Sequence, residues 1–120
     1  MAVLFATGVA WWLLEGGWGA ARLYLIAAHG LAAMAFLVAL GAILVLHVRE
    51  GWRRRLNRIS GTLVLTVAGV LILTAFGLYY IGSDALRSLA SGLHIAVGLA
   101  LPPILVVHVI FGRRARLRHE

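Results

Sequence analysis

The stretch HIAVGLALPPILVVH, residues 94–108, places two histidines fourteen residues apart among apolar side chains, glycine and two prolines. On an α-helix at about 100° per residue those imidazoles fall about 40° short of four full turns apart, and they lie roughly 21 Å apart along the axis. A second stretch, HGLAAMAFLVALGAILVLH at residues 29–47, repeats the pattern with an interval of eighteen, which makes five full turns and about 27 Å. Both separations approach the thickness of a bilayer core. Each helix therefore offers two imidazoles along one stripe, one near each membrane surface.

Composition agrees with a membrane setting. The chain has 120 residues, is 62% hydrophobic with a mean hydropathy of +0.98, and its 12% of charged residues is about half the share of a soluble domain. All eleven basic residues are arginine and the net charge is +7. They cluster at the ends of apolar segments rather than on a basic face, which disfavours nucleic-acid binding. There is no cysteine, so disulfides, cysteine-ligated iron–sulfur clusters and thioether-attached haem are all excluded. No basic residue precedes the apolar run from Ala2 and no small-residue cleavage site follows it, so the N-terminus reads as structure rather than as a cleavable signal.

Four apolar segments follow. Met1 to Leu14 is short for a span, which leaves open whether the native chain begins upstream of Met1. Residues 21–48 and 61–81 are each long enough to cross, and 84–111 form the last segment, with Ser83 or Asp84 as a cap. Pro102 and Pro103 near its middle remove hydrogen bonds to the carbonyls of Gly98 and Leu99, so a kink is expected between His94 and His108. Gly61, Gly69 and Gly77, with Thr62, Thr66 and Thr74, are expected to let the third segment pack closely. The predicted fold is all-α: a transmembrane four-helix bundle with a short first helix, forming one membrane domain over residues 1–120.

Arginine asymmetry sets the expected orientation. Arg49, Arg53, Arg54, Arg55 and Arg58 follow the second segment, and Arg113, Arg114, Arg116 and Arg118 follow the fourth, against Arg22 and Arg87 on the other side. The nine mark the cytoplasm, so both termini are expected to be cytoplasmic. Segments two and four then run parallel. His29 can face His94 near the outer surface, and His47 can face His108 near the inner one.

The two halves also repeat. Trp11-Trp12 and Tyr79-Tyr80 each close an outward-going helix, each pair is followed by an acidic residue (Glu15, Asp84), and Arg22 and Arg87 each precede a histidine by seven. This is a duplicated two-helix unit, expected to be related by an axis along the membrane normal. The remaining aromatics, Trp18, Tyr24 and Trp52, suit an interfacial belt, and His119 in the tail suits solvent.

Paired imidazoles at two depths match two b-type haems, each needing two neutral imidazoles and small residues around the ring. Ala27, Ala28, Gly30, Ala32 and Ala33 surround His29, and Gly92 and Gly98 flank His94. Arg22 and Arg87, about two turns nearer the outer surface on the histidine face, are candidate propionate contacts, with Arg54 and Arg116 as weaker candidates inside. The blander alternative for the arginines is snorkelling into the interface, and for the histidines it is interhelical hydrogen bonding. Four imidazoles at matched membrane depths are costly for packing alone. Zinc or copper transport is disfavoured because each depth offers two ligands where such sites gather three or four. Pigment ligation needs one imidazole per pigment and stays open.

The chain resembles the small bacterial di-haem membrane cytochromes b, the group that includes the cytochrome b subunits of membrane-bound formate dehydrogenases and nickel–iron hydrogenases. The likeness rests on two histidines in each of two parallel helices, the interval within HIAVGLALPPILVVH and the arginine-bounded helix ends, and it covers segments two to four. It implies that His29, His47, His94 and His108 are axial ligands of haem iron. The short chain, the abbreviated first helix and the interval of eighteen depart from the pattern and leave the subfamily and any quinone pocket open.

The expected function is transmembrane electron transfer through two bis-histidine b haems in a respiratory-type complex. Loops this short hold no catalytic domain, so a redox partner subunit carrying iron–sulfur, flavin or c-type haem is expected, together with membrane lipid and quinone as a candidate electron carrier. The competing class is a non-redox membrane subunit: a pigment-binding or structural component of a larger complex, or a metal permease.

Overall fold

The computed structural model describes residues 1–14, 19–55 and 57–117, without the side chain of Arg116. The expectations attached to Glu15, Trp18, Arg118, His119 and the Arg116 guanidinium lie outside these residues. Among the described residues the chain is all-α. Helix α1 is Ala2–Leu13, α2 is Gly19–Ile43, a π-helical turn occupies Leu44–Val48, α3 is Arg49–Arg53, α4 is Arg58–Tyr80 and α5 is Asp84–Leu117. Helix α2, the π turn and α3 stack into one continuous rod, Gly19–Arg53, so four rods are present.

Three of these rods are long and apolar enough to cross a bilayer, and the shorter α1 is apolar as well. Their surfaces carry large apolar side chains that water would not tolerate in such number: Leu31 is 74% exposed, Val38 77% and Leu73 72%. The protein is a membrane protein, and lipid is the solvent that covers these faces.

The chain divides into two compact units, Met1–Arg49 and Glu50–Glu120. In the first, α1 and α2 form a helical hairpin; in the second, α4 and α5 do. The contacts of each hairpin run antiparallel, with Trp11 beside Arg22 and Thr7 beside His29 in one, and Thr74 beside His94 and Ser60 beside His108 in the other. The duplicated two-helix unit read from the repeat is thus present as two hairpins.

The second hairpin closes on small residues. Ala68, Ala90 and Leu101 are its buried apolar positions, and Ser60 and Thr74 its buried polar ones. A β-carbon on Gly77 would crowd Ile81 Cδ1 at 3.1 Å, while meeting that of Ala90 across the hairpin at 3.5 Å, an ordinary contact. Gly69 has no such neighbour, so of the three glycines expected to serve packing it is the one the hairpin does not use. At the turn, the Arg87 guanidinium donates to the carbonyl of Ile81 at 2.8 and 3.2 Å, satisfying an oxygen just past the end of α4.

Two boundaries extend beyond expectation. The second rod continues to Arg53 rather than stopping at Val48, and α5 continues to Leu117 rather than Phe111. Arginine ends the apolar span but is a good helix former, and Glu50 with Arg53 and Arg54 supplies spaced ion pairs on the same helix. Helix α5 also runs unbroken through Pro102 and Pro103.

The π turn corrects the simplest geometry of the second rod. Its backbone bonds span five residues, as from Arg49 N–H to the Leu44 carbonyl, so each residue turns through a smaller angle than in an α-helix. His47 lies within it, and the strict five-turn alignment with His29 is therefore not kept.

Candidate functional site

Three of the four apolar-segment histidines are held by a hydroxyl on the neighbouring helix of their own hairpin. In the first unit Thr7 Oγ1 lies 2.9 Å from His29 Nδ1. In the second, Thr74 Oγ1 lies 2.9 Å from His94 Nδ1 and Ser60 Oγ lies 2.9 Å from His108 Nδ1. All three histidines are half-buried.

The threonines are built alike. Thr7 donates to the carbonyl of Val3 at 2.7 Å and Thr74 to that of Val70 at 2.8 Å, the back-bond that Thr and Ser make within a helix. A hydroxyl has one hydrogen and two lone pairs. A threonine whose hydrogen lies on the helix carbonyl would accept from Nδ1, the arrangement of a metal-binding imidazole, whose second nitrogen donates to an oxygen that fixes tautomer and orientation. His29 also bonds the backbone of Leu4.

Glycine makes room beside two of the rings. A β-carbon on Gly8 would sit 3.4 Å from His29 Cε1, and one on Gly61 would sit 3.6 Å from His108 Cε1. The dipeptides Thr7-Gly8 and Ser60-Gly61 therefore combine a hydroxyl that bonds the ring with a position that admits it. Neighbouring Gly30 and Gly92, beside His29 and His94 in sequence, have open space where a β-carbon would stand.

At the Asn57 end of the second hairpin the cluster is larger. Asn57 has a left-handed backbone, φ 50°, and makes no cap bond to α4 with its side chain. Instead Asn57 Nδ2 donates to the carbonyl of His108 at 2.9 Å and lies 3.3 Å from its Nδ1, while Ser60 donates to Asn57 Oδ1. His47 sits in the π turn of the first unit and is exposed.

The arginines have other neighbours. The Arg22 guanidinium stacks 4.3 Å above the Trp11 ring, and its buried Nε has no hydrogen-bond partner among the described residues. Arg87 is turned to the Ile81 carbonyl. Arg54 and Arg53 both pair with Glu50, and Arg58 donates to the Trp52 carbonyl at 2.6 Å while lying 5.3 Å from the Trp52 ring. Among the described residues no three of His, Cys, Asp and Glu gather into a metal-sized group.

Reading the sequence alone misses Thr7, Ser60 and Asn57 and assigns Thr74 to packing. One signal was available: Ser60 and Thr74 are fourteen residues apart, as are His94 and His108, so an antiparallel pair in that register brings hydroxyl to imidazole at both levels. Comparison with protein-family models, curated proteins and solved structures finds no match to this chain.

Proposed function

We propose that this protein is a membrane electron conduit of the cytochrome b type, holding two b haems between helix-borne imidazoles. The observation that carries the proposal is the repeated hydroxyl–imidazole pair, Thr7 with His29 and Thr74 with His94, one in each hairpin. An imidazole that binds a metal through Nε2 has Nδ1–H held by an acceptor, and a threonine hydroxyl at Nδ1 in both hairpins fits that role for a haem ligand.

In this proposal His29 and His94 supply the axial nitrogens of the outer group, and His47 and His108 those of the inner. Bound haem supplies one-electron iron chemistry at potentials set by its ligands and surroundings. The threonines and Ser60 orient the rings, and the lipid-covered helices exclude water. Arg22 brings an unpaired Nε to the outer end, where a carboxylate would compensate it. Nine arginines at one set of helix ends favour a bacterial inner membrane with both termini in the cytoplasm. Electrons would pass between a redox partner subunit and a membrane carrier such as quinone, since the loops hold no domain for substrate chemistry.

A reduced-minus-oxidised optical spectrum of the purified chain, with pyridine haemochrome quantitation, tests this directly. Sharp low-spin bands and about two b haems per chain are expected. Correctly assembled protein without haem would remove the proposal and leave the pigment-binding, metal-permease and structural readings.

A further inference from the structure

The inner end of the second hairpin differs from the outer end in where the hydroxyl sends its hydrogen. At the outer end Thr74 gives it to a carbonyl of its own helix. At the inner end Ser60 gives it to a side chain, Asn57, which stands in the turn before α4.

The proton positions there follow from which atoms can only accept. The His108 carbonyl accepts only, so the Asn57 atom 2.9 Å from it is the amide nitrogen, and the amide oxygen faces Ser60. That oxygen also accepts only, so the single hydrogen of Ser60 lies on it. Ser60 therefore turns a lone pair to His108, and Nδ1, at 2.9 Å, must carry the proton. The contact from Asn57 Nδ2 to Nδ1, at 3.3 Å, is the longer of the two that this amide makes, its shorter bond going to the His108 carbonyl.

The turn is shaped to hold this arrangement. Arg55 at φ 56° and Asn57 at φ 50° both lie in the left-handed region, which is unfavourable for a non-glycine residue and which asparagine tolerates best. Gly112 leaves room for the amide, since a β-carbon there would approach Asn57 Nδ2 to 3.3 Å. Strained backbone persists where surrounding contacts over-determine it, and here the contacts are those to Ser60 and His108.

We infer that Asn57 is a positioning residue: acting through Ser60, it holds His108 in the Nδ1–H tautomer, so the ligand state at the inner level depends on the turn between α3 and α4. The outer level has no such dependence. Its acceptor carbonyl belongs to the helix that carries the threonine. This inference rests on the proposed ligand role of His108 for its functional meaning, but its proton assignment can be measured without haem.

The test is ¹⁵N NMR of the full chain, labelled at histidine, in lipid nanodiscs under reducing conditions. Wild-type His108 is expected to show a protonated Nδ1 and an unprotonated Nε2. Asn57→Gly keeps the left-handed backbone and frees the Ser60 hydrogen, so the His108 pattern should move toward the Nε2–H tautomer while His94 stays unchanged. Gly112→Ala displaces the Asn57 amide without touching Ser60 or His108, and should move His108 in the same direction. Wild-type His108 protonated at Nε2 would overturn the inference, as would unchanged His108 shifts in either variant when folded. Where haem is bound, only the inner midpoint should move in Asn57→Gly, and Asn57→Asp, which keeps the acceptor oxygen, should restore the wild-type tautomer. If the chain binds no haem, the tautomer result still decides the inference and only the redox proposal falls.

Discussion

The two hairpins solve the same problem with different completeness. In α1 and α2, one hydroxyl holds one imidazole, Thr7 on His29, and the second histidine of that unit, His47, lies exposed within a π turn. In α4 and α5, two hydroxyls fourteen residues apart hold two imidazoles fourteen residues apart, with Asn57 added at the inner end. The difference teaches that an imidazole in such a span is positioned by its antiparallel neighbour rather than by its own helix.

The largest expected effect comes from removing a ligand. If the proposed haems are bound, His94→Ala should abolish the outer one, taking content from about two toward one per chain, and His29→Ala should do the same; His108→Ala should remove the inner one. Haem quantitation in each variant checks this, and loss of both groups from either outer substitution would break the independence of the two levels.

A smaller effect is expected where glycine admits a ring. Gly8→Ala brings a β-carbon to 3.4 Å from His29 Cε1, whereas Gly61→Ala stops at 3.6 Å from His108, an ordinary contact. Gly8→Val should therefore weaken the first hairpin measurably and Gly61→Ala should be tolerated, as judged by thermal midpoints in detergent. Equal tolerance would mean that the first hairpin relaxes around His29.

Thr74→Val should be milder in stability than in chemistry. An interhelical hydrogen bond in a membrane contributes on the order of 0.6 kcal/mol, too little to unfold a hairpin. Removing the acceptor for Nδ1–H should lower the basicity of the imidazole and raise the outer midpoint potential, and Thr74→Ser should restore it. An unchanged potential with the hydroxyl gone would reduce the pair to packing.

The smallest effect belongs to the surface. Glu50→Gln removes the partner of Arg53 and Arg54, which are 75% and 64% exposed, and should leave the unfolding midpoint unchanged within error. A clear drop would show that the arginine-rich end of the rod depends on this carboxylate.

Much of this architecture is legible in the residues. Long apolar runs bounded by arginine and glycine mark three of the rods, and the matched offsets of Arg22 from His29 and Arg87 from His94 mark the duplication. The π turn was not legible, because an eighteen-residue interval fits an ideal α-helix so well that nothing in the spacing demands an extra residue per turn. Nor were the neighbours of the arginines: Arg22 on Trp11 and Arg87 on the Ile81 carbonyl are contacts between helices and turns, and residue spacing along one helix does not report them.

By itself the sequence determined that this is an all-α membrane protein with two histidines in each half of a duplicated unit. Those properties depend on hydropathy and on the helical repeat, both of which act locally along the chain. Only the tertiary structure decided which hydroxyl meets which ring, and that Asn57 turns its side chain to His108 rather than to capping α4. Hydrogen bonds between helices depend on register and rotation, and those emerge only when two helices are packed together.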